Sequence, residues 1–439
     1  MYRPLNKKEM DMPKRLPALT LMVSLIMAFT QVAVYAEALI HVKKGRIYKG
    51  SGPKVYRAIQ QDNLCRPDLS DGDLLNAFTR VSAVGANNIA FTLDGFSADG
   101  KEIDPAYIET VVRIKDNANY RWTNAICNVM GNVTSADPRV RLNAARAAGR
   151  ALKDFTSMLY VIQGPDSEAL TKAFKSEAPD LCVAATYGGD VDLINDLRFA
   201  KPNQPAILIG DIPEGLFGGV SSILPDTPAS YERYEERSAH AIESEPWLAD
   251  PFGLTSEEEA EGFVMLYNGR NMDNWTVTGR KDGFVSENGN IIWKRRGGRR
   301  VLSRQRYDNF VLRLEYKIHH HNGNSGLFLR APRANRESAM GMEFQIMGDY
   351  GLEPNNISTG AIYDQVAATS NPSLPEGEWN DLEIYANGSH LKATLNSIVV
   401  QDLDLNEYTE LRHRLRNGFI ALQDHNDPVS FRRIRIKEL

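Results

Sequence analysis

Short continuous apolar runs alternate with segments of a different period across residues 54–214. The runs are residues 54–59, 88–93, 125–130, 158–162, 181–185 and 206–209. Between them, apolar residues recur three and four positions apart in residues 73–84, 105–118, 138–155, 167–176 and 191–199. Buried parallel strands read as continuous apolar runs, and a 3.6-residue period is typical of amphipathic helices. The pattern therefore predicts strand–helix–strand units of the α/β class.

Six such strands within about 160 residues predict a shortened or degenerate (β/α) barrel over residues 45–215, with an open doubly wound sheet as the alternative. In both folds, catalytic groups lie on the loops that follow the carboxyl ends of the strands. The carboxylates in those loops are Asp94, Asp190, Asp211 and Glu214. Carboxylates beside glycine are also common in ordinary turns and helix caps, so a structural role stays open for all of them.

The pattern changes twice after this region. Residues 216–257 contain prolines and acidic residues without a sustained apolar period, which is typical of a linker. From residue 258 to 439, apolar and polar residues alternate with a period of two in short segments that Gly, Asn and Asp turns separate. Many short strands without a helical pattern predict an all-β, two-sheet sandwich or jelly roll. The chain is therefore predicted to be multidomain.

The first 36 residues have the order of a secretory signal peptide. Basic residues at positions 7, 8, 14 and 15 precede residues 16–36, which carry no charge and end in Ala36. This order predicts export with cleavage after Ala36, and a periplasmic or secreted protein that keeps no membrane span. An uncleaved anchor is the alternative, since about 20 apolar residues can span a bilayer.

Charge and cysteine content narrow the range of functions. Lys and Arg total 51 against 56 Asp and Glu, which gives a formal net charge of −5. No nucleic-acid partner is expected, because phosphate binding favours a basic surface. Cys65, Cys127 and Cys182 show no C-x-x-C spacing, so neither a thiol nucleophile nor a zinc–thiolate site is expected.

Alternate residues of a strand point to opposite faces, and this alternation predicts a set of polar side chains on one face of the sandwich. In residues 326–330, 343–346 and 420–425, apolar residues alternate with outward residues that are polar, aromatic or small. The outward polar residues are Arg330, Glu343, Gln345, Gln423 and His425, and Tyr363 shares a face with Ala361 in a neighbouring segment. If these strands are neighbours, they line a groove with room for a sugar. A solvated sheet face is the alternative.

Three consecutive histidines at 319–321 allow a metal site, since the first and third share one face of a strand. The following Asn322-Gly323 favours an ordinary turn equally well. The sequence requires no cofactor. The sequence also allows a divalent metal near Glu343 and His425, and such a metal would stabilise an enediolate.

Several motifs of the C-terminal region occur together in a specific order. They are FVMLYNG at 263–269, NSGLFLR at 324–330, GMEFQI at 341–346, GAIY at 360–363, GEWN at 377–380, LQDH at 422–425 and VSFR at 429–432. In this order and spacing they resemble the 3-keto-disaccharide hydrolase family over residues 258–439. The resemblance implies a concanavalin-like β-sandwich of the kind common in exported bacterial proteins, and it covers none of the N-terminal half.

The N-terminal half loosely resembles the (β/α)-barrel glycoside hydrolases in residues 85–91 and 103–105. Such enzymes need two carboxylates on opposite sides of the glycosidic bond. Many of these barrels carry an Asn-Glu acid at the end of the fourth strand, where this chain has Gln163-Gly164-Pro165. The departure favours an accessory barrel, and a glycosidase site in the barrel is the alternative.

The family resemblance implies a substrate that is a glycoside or disaccharide already oxidised to a ketone at C3. The ketone acidifies the proton on C2, so a base can remove that proton and expel the C1 substituent by β-elimination. Water adds afterwards, and the net result is hydrolysis. A sugar 3-dehydrogenase acting upstream is the implied pathway partner.

The same resemblance suggests roles for the outward residues. Glu343 or His425 is predicted to be the base, with the other as the acid for the leaving oxygen. Arg330 and Gln345 are predicted to stabilise the enolate oxygen. The residues predicted to bind hydroxyl groups are Asn324, Tyr363 and Gln423. A carbohydrate-binding sandwich without turnover is the alternative function.

Overall fold

A computed structural model of the chain describes residues 39–43, 46–49, 52–53, 56–194, 206–209, 221–224 and 254–439. The predicted signal peptide and two of the barrel candidates, Asp211 and Glu214, lie outside these ranges. Among the helices described, none is long and apolar enough to cross a membrane. The three cysteines are buried free thiols.

A closed barrel of parallel strands dominates the N-terminal part. A small antiparallel sheet precedes it, formed by β1 (Ile40–Lys43), β2 (Arg46–Lys49) and β3 (Gly52–Pro53). The barrel strands are β4 (Arg57–Gln60), β5 (Asn88–Thr92), β6 (Asn124–Asn128), β7 (Leu159–Ile162), β8 (Val183–Ala185), β9 (Val191–Ile194), β10 (Ala206–Ile209) and β11 (Ser221–Leu224). Each strand pairs with the next in chain order, and β11 pairs with β4 to close the ring.

Helices connect the first barrel strands. They are α1 (Asp71–Ala83), α2 (Pro105–Tyr120), α3 (Pro138–Leu152) and α4 (Ser167–Lys175). Asp104 and Asp137 cap α2 and α3, because their carboxylates accept backbone hydrogen bonds of 2.9 and 2.8 Å. A proline follows each cap at the first helical position, where a missing N–H group leaves no bond unmade.

Two features of the barrel differ from the sequence-based expectation. The predicted helix at 191–199 is wrong over its described part, because β9 pairs in parallel with β8 and β10. The predicted linker at 216–257 contains β11, so the barrel extends beyond residue 215 and has more strands than expected. Runs of about four residues are too short for periodicity to separate a strand from a helix. The barrel is degenerate where residues 186–190 join β8 to β9 without a helix.

Two antiparallel sheets form the C-terminal sandwich, which α5 (Ser256–Ala260) precedes. The first part contains β12 (Val264–Met265), β13 (Trp275–Val277), β14 (Phe284–Glu287), β15 (Asn290–Trp293), β16 (Arg300–Tyr307), β17 (Phe310–Ile318) and β18 (Asn324–Ala331). After α6 (Glu337–Met340) come β19 (Met342–Met347), β20 (Asn380–Asn387), β21 (His390–Leu395), β22 (Ile398–Asp404), β23 (Gly418–Gln423) and β24 (Val429–Glu438). The 8-stranded sheet has the order β14-β15-β24-β17-β20-β21-β22, with β12 beside β24. The 5-stranded sheet has the order β13-β16-β23-β18-β19.

Burial differs between the two sheets. β17, in the 8-stranded sheet, alternates strictly between buried and half-buried residues, as expected of a strand with one face on the core. β18, β19 and β23, in the 5-stranded sheet, bury nearly every residue. These three strands are therefore covered on their outer face as well as on the sandwich core, whereas β13 and β16 keep partly exposed residues.

The amino end of the barrel contacts the sandwich. Asn76 of α1 is 2.8 Å from the His413 ring, and Arg121, directly after α2, forms an ion pair with Glu410 at 2.9 Å. Sandwich side chains that join the apolar core of the barrel are Met340 and Leu415. Because each helix returns the chain to the start of the next strand, the contact of Arg121 lies at the amino end, whereas Asn76 lies midway along α1. The loops at the carboxyl ends lie at the opposite end of the barrel.

Candidate functional site

The outer face of the 5-stranded sheet carries most of the polar residues singled out from the sequence. Phe328 in β18 lies opposite Glu343 in β19 and opposite Ala421 in β23. Gly326, two residues earlier, lies opposite Gln345. The intervening apolar residues of these strands belong to the sandwich core, whereas Phe328 and Ala421 form a separate outer cluster. The strand order thus places one carboxyl and one amide side by side on the outer face.

Gly326 leaves the space that the Glu343 side chain occupies. A Cβ atom at position 326 would lie 2.4 Å from Oε1 of Glu343, well inside van der Waals contact. Glycine in a strand interior often marks such a close approach. The conformation of the Glu343 carboxyl therefore depends on the absence of a side chain on the neighbouring strand.

Glu343 is a buried carboxyl with one side-chain hydrogen bond among the described residues. Only 3% of the residue is exposed, and Nε2 of Gln423 donates to its Oε1 at 2.8 Å. Burial raises the pKa of Glu343 to about 8, and the nearby Arg336 charge and the Gln423 hydrogen bond offset part of that rise. A carboxyl whose pKa lies near neutrality can accept and release a proton under ordinary conditions.

Two amide side chains beside Glu343 present buried acceptors. Gln345 donates through Nε2 to Oδ1 of Asn324 at 3.4 Å. Oε1 of Gln345 and Oε1 of Gln423 are buried and accept no hydrogen bond within the part of the chain that the structure describes. A buried acceptor without a donor is costly, so both oxygens are suited to receive hydroxyl groups of a ligand.

Arg336 is the cation next to Glu343, and the sequence patterns did not identify it. It precedes α6, its guanidinium lies 4.5 Å from the centre of the Tyr120 ring, and its charge lowers the pKa of Glu343. Tyr363 is half-buried beside the same groups: burial raises its pKa first, and Glu343 raises it further. Arg336 lies in a loop without periodicity, so only the folded chain brings it to the site.

His425 lies just beyond the end of β23, two residues after Gln423. Its side chain is half-exposed, and its Nδ1 is 3.8 Å from Oδ2 of Asp427. That aspartate also accepts a 3.0 Å bond from the backbone N–H of Asn324. Gln423 therefore contacts one predicted proton-transfer group, Glu343, and is two residues from the other, His425, in sequence.

A cavity of about 930 Å³ opens on this face of the sheet. Its walls combine apolar, hydroxyl, amide and charged groups: Trp122, Thr276, Thr278, Arg299, Arg300, Leu302, Ser303, Arg304, Phe328, Arg333, Ala334, Glu337, Gln423, Asp424 and His425. Gln423 and His425 are the predicted site residues that line the cavity. Glu343 does not line it, but it accepts the hydrogen bond from Gln423 and lies opposite Phe328 on the neighbouring strand. The volume lies within the range of small-molecule sites of about 300–1,000 Å³.

Arg330 does not belong to this group. Strand parity predicts an outward side chain, but the register shifts between Phe328 and Ala331, and Arg330 has a φ of 50°. Its guanidinium is fully buried and donates to the carbonyl oxygens of Asp308 and Gly388, each at 2.8 Å. A β-bulge reverses the alternation of faces, so the prediction that Arg330 binds substrate is wrong.

The three histidines at 319–321 have separate partners. His319 is 2.9 Å from the Ser430 hydroxyl, and His321 is 3.2 Å from Glu376. No group of three or more His, Cys, Asp or Glu side chains in the described ranges is arranged to hold a metal ion.

The barrel candidates within the described residues take part in local hydrogen bonds. Asp94 accepts from its neighbour's backbone N–H at 2.7 Å and from Asn132 at 3.0 Å. Asp190 forms an ion pair with Lys175 at 2.7 Å and accepts from the N–H of Val183 at 2.9 Å. These are the contacts of turns and connections between elements.

A β-sandwich with a cavity of this size, lined by polar and aromatic side chains, is suited to bind a small molecule. Residues 262–437 match the family model described as a 3-keto-alpha-glucoside-1,2-lyase-like domain. The C-terminal region is therefore similar to this family, and the resemblance noted from its motifs is confirmed.

Three individual proteins are similar to part of this chain. A 3-keto-disaccharide hydrolase of Bacteroides thetaiotaomicron is 24% identical over 233 residues, covering 41% of this chain and 80% of the relative. A solved structure described as a "putative glycosyl hydrolase" from Parabacteroides distasonis is 24% identical, covers 42% of this chain and 98% of its own, and has a TM-score of 0.38. A second structure of that description and organism is 22% identical, covers 40% and 99%, and has a TM-score of 0.36.

Proposed function

We propose that this chain is an exported enzyme that cleaves 3-keto-glycosides or 3-keto-disaccharides in the cavity of its C-terminal sandwich. The observation that carries the proposal is Glu343, a buried carboxyl of pKa about 8 in the domain that the family model matches. The C2 proton of a 3-keto sugar is acidified by the ketone, and a base whose pKa lies near the working pH is suited to remove it.

In the proposed reaction, the Glu343 carboxylate takes the proton from C2, and the electron pair moves onto the C3 carbonyl oxygen. The positive charge of Arg336 stabilises this enolate oxygen, in the role that the sequence suggested for Arg330. Gln423 turns from Glu343 to bind a sugar hydroxyl, which brings C2 against the carboxyl. Gln345, Asn324 and Tyr363 hold further hydroxyl groups.

The enolate then collapses, the bond from C1 to the glycosidic oxygen breaks, and His425 donates a proton to the leaving oxygen. The products of this step are an alcohol or sugar and a 3-keto sugar with a double bond between C1 and C2. Water adds its hydroxyl group to C1 and a proton to C2, so the net reaction is hydrolysis. An upstream sugar 3-dehydrogenase supplies the ketone. A divalent metal could stabilise the enediolate, and the experiment below tests for one with a chelator.

Solvent labelling distinguishes this chemistry from direct hydrolysis. The full-length protein is incubated in D₂O with a 3-keto-disaccharide and with its unoxidised form, each with and without a chelator. We expect cleavage of the keto form only, with deuterium at C2 of the released 3-keto sugar above the level in free 3-keto sugar kept under the same conditions. Cleavage without deuterium at C2 would overturn the elimination, and loss of activity with chelator would show a metal requirement.

Replacement of Glu343 by Gln tests the proton-transfer role. We expect kcat for the 3-keto-disaccharide to fall by about 10²–10⁴-fold, because the amide cannot take the C2 proton. The matched control is Glu407→Gln on an exposed glutamate, which leaves kcat within about twofold. Binding of substrate by the wild type without any cleavage would instead identify a carbohydrate-binding module.

A further inference from the structure

Trp122 of the N-terminal domain has an unusual conformation. It lies between α2 and β6, its φ angle is 52°, and 60% of its surface is exposed. Left-handed backbone is uncommon for a bulky residue and persists only where neighbouring contacts enforce it. A large exposed indole at such a position has no role in the barrel core.

The sandwich holds the loop on both sides of Trp122. Arg121 is buried and forms its ion pair with Glu410 at 2.9 Å, and its carbonyl oxygen accepts from the N–H of Arg336 at 2.9 Å. On the other side, Oγ1 of Thr123 accepts from Nδ2 of Asn335 at 3.0 Å, within a buried contact. Because residues 121 and 123 are both bound to the sandwich, the backbone at Trp122 is fixed relative to that domain.

The indole lines the cavity of the C-terminal domain. The other residues that line it come from the sandwich strands and the loops beside them, and they include Thr276, Phe328 and His425. The neighbouring Tyr120 contacts Arg336, the cation beside Glu343. One barrel loop therefore reaches both the cavity and the surroundings of the buried carboxyl.

We infer that Trp122 is a substrate-binding residue, and that its indole stacks on the second sugar ring of a disaccharide or longer saccharide. The inference rests on the proposed function, because it assumes that the cavity takes a glycoside. One face of a pyranose presents C–H groups that pack on an aromatic ring, and an indole on an anchored backbone offers a large apolar surface at a reduced entropic cost. The amino end of the barrel thereby completes the site of the sandwich. The substrate accordingly carries a sugar, and not a small group, on its leaving oxygen.

Selectivity between two leaving groups tests this inference. The full-length wild type, Trp122→Ala and Trp122→Phe are assayed on a 3-keto-disaccharide and on methyl 3-keto-glucoside. We expect Trp122→Ala to lower kcat/KM for the disaccharide at least about tenfold more than for the methyl glycoside, mainly through KM. Trp122→Phe keeps an aromatic face and restores most of the selectivity. Equal losses on both substrates, or no loss, would overturn the inference.

Calorimetric titration with the unoxidised disaccharide separates this inference from the proposed chemistry. Binding that Trp122→Ala weakens about tenfold, in a protein that cleaves no 3-keto substrate, would retain the stacking role and reject the elimination. Cleavage that is indifferent to Trp122 would retain the elimination and reject the stacking role. Absence of both binding and cleavage would reject both. The thermal midpoint of each variant is measured first, and the exposed indole is expected to leave it within about 2 °C.

Discussion

Asp190 in the barrel and Glu343 in the sandwich are carboxyls in opposite environments. Asp190 accepts hydrogen bonds from Lys175 at 2.7 Å and from a backbone N–H at 2.9 Å, so a neighbouring cation and a backbone donor stabilise its negative charge. Glu343 is buried with one side-chain donor, and its pKa rises to about 8. The first arrangement holds a loop in place, and the second leaves a proton free to exchange near neutral pH. The environment of a carboxyl therefore separates a structural group from a candidate base.

The two ends of the barrel give a parallel contrast. In barrel enzymes the carboxyl-end loops carry the chemistry, and the amino end contributes to stability. Here the described carboxyl-end candidates are bound to their own neighbours, whereas the amino end supplies Arg121 and Trp122 to the sandwich. A barrel fold thus does not locate the site, since function depends on particular residues and not on the fold that bears them.

Replacement of Gly326 by Ala is expected to have the largest effect that leaves the Glu343 carboxyl chemically intact. The added methyl group would lie 2.4 Å from Oε1, so the carboxyl must move. A displacement of about 1 Å can cost about 10²-fold, and we expect a loss of kcat of that size with a stability loss of about 1–3 kcal/mol. Steady-state kinetics and chemical denaturation measure the two effects.

Gly72→Ala is the matched control, since its nearest neighbouring heavy atom would be 3.6 Å from the new Cβ. This variant is expected to keep full activity. A Gly326→Ala protein with unchanged kcat would contradict the role of Glu343, because the carboxyl could not then occupy its observed position.

The pH profile provides the next test. With Glu343 as the base, kcat/KM rises about tenfold per pH unit below a pKa near 8 and levels off above it. The groups that share its surroundings are Arg336, Gln423 and Tyr363, and the Arg336 charge is the one that opposes the raised pKa. A profile that falls through pH 8 would reverse the roles and make Glu343 the acid.

Stability provides an independent measure of the same pKa. Between the ordinary value of 4.5 and about 8, folded Glu343 holds a proton that the unfolded chain has released. The free energy of unfolding contributed by this group therefore falls as the pH rises across that interval. We expect wild type to lose stability relative to Glu343→Gln from pH 5 to pH 9. Parallel curves for the two proteins would contradict the raised pKa.

Regular alternation made part of the site predictable. Glu343, Gln345 and Gln423 lie in unbroken strand segments, where a period of two assigns each side chain to a face. Arg330 follows a bulge, and no sequence pattern marks the residue at which the alternation reverses. The short strands β9 and β11 could not be predicted from the sequence either, because about four residues do not define a period.

The contribution of the barrel to the cavity was beyond the reach of sequence patterns for a different reason. Trp122 and Arg336 are far apart in sequence and lie outside periodic segments. Their proximity depends on how the two domains meet, and that contact is made by single residues such as Arg121 and Glu410. Family motifs did not help for Trp122, since the matched region begins at residue 262.

The smallest effects are expected at the carboxyl end of the barrel. Asp94→Asn and Asp190→Asn should each keep kcat/KM for the 3-keto-disaccharide within about twofold, because their contacts are local and lie at the far end from the sandwich. Asp190→Asn should lose about 1 kcal/mol of stability, since its ion pair with Lys175 is partly exposed to solvent. A loss of 10²-fold or more in either variant, with the fold intact, would move catalysis to the barrel. The comparison between Asp190 and Glu343 would then reverse, and the sandwich cavity would bind the sugar without cleaving it.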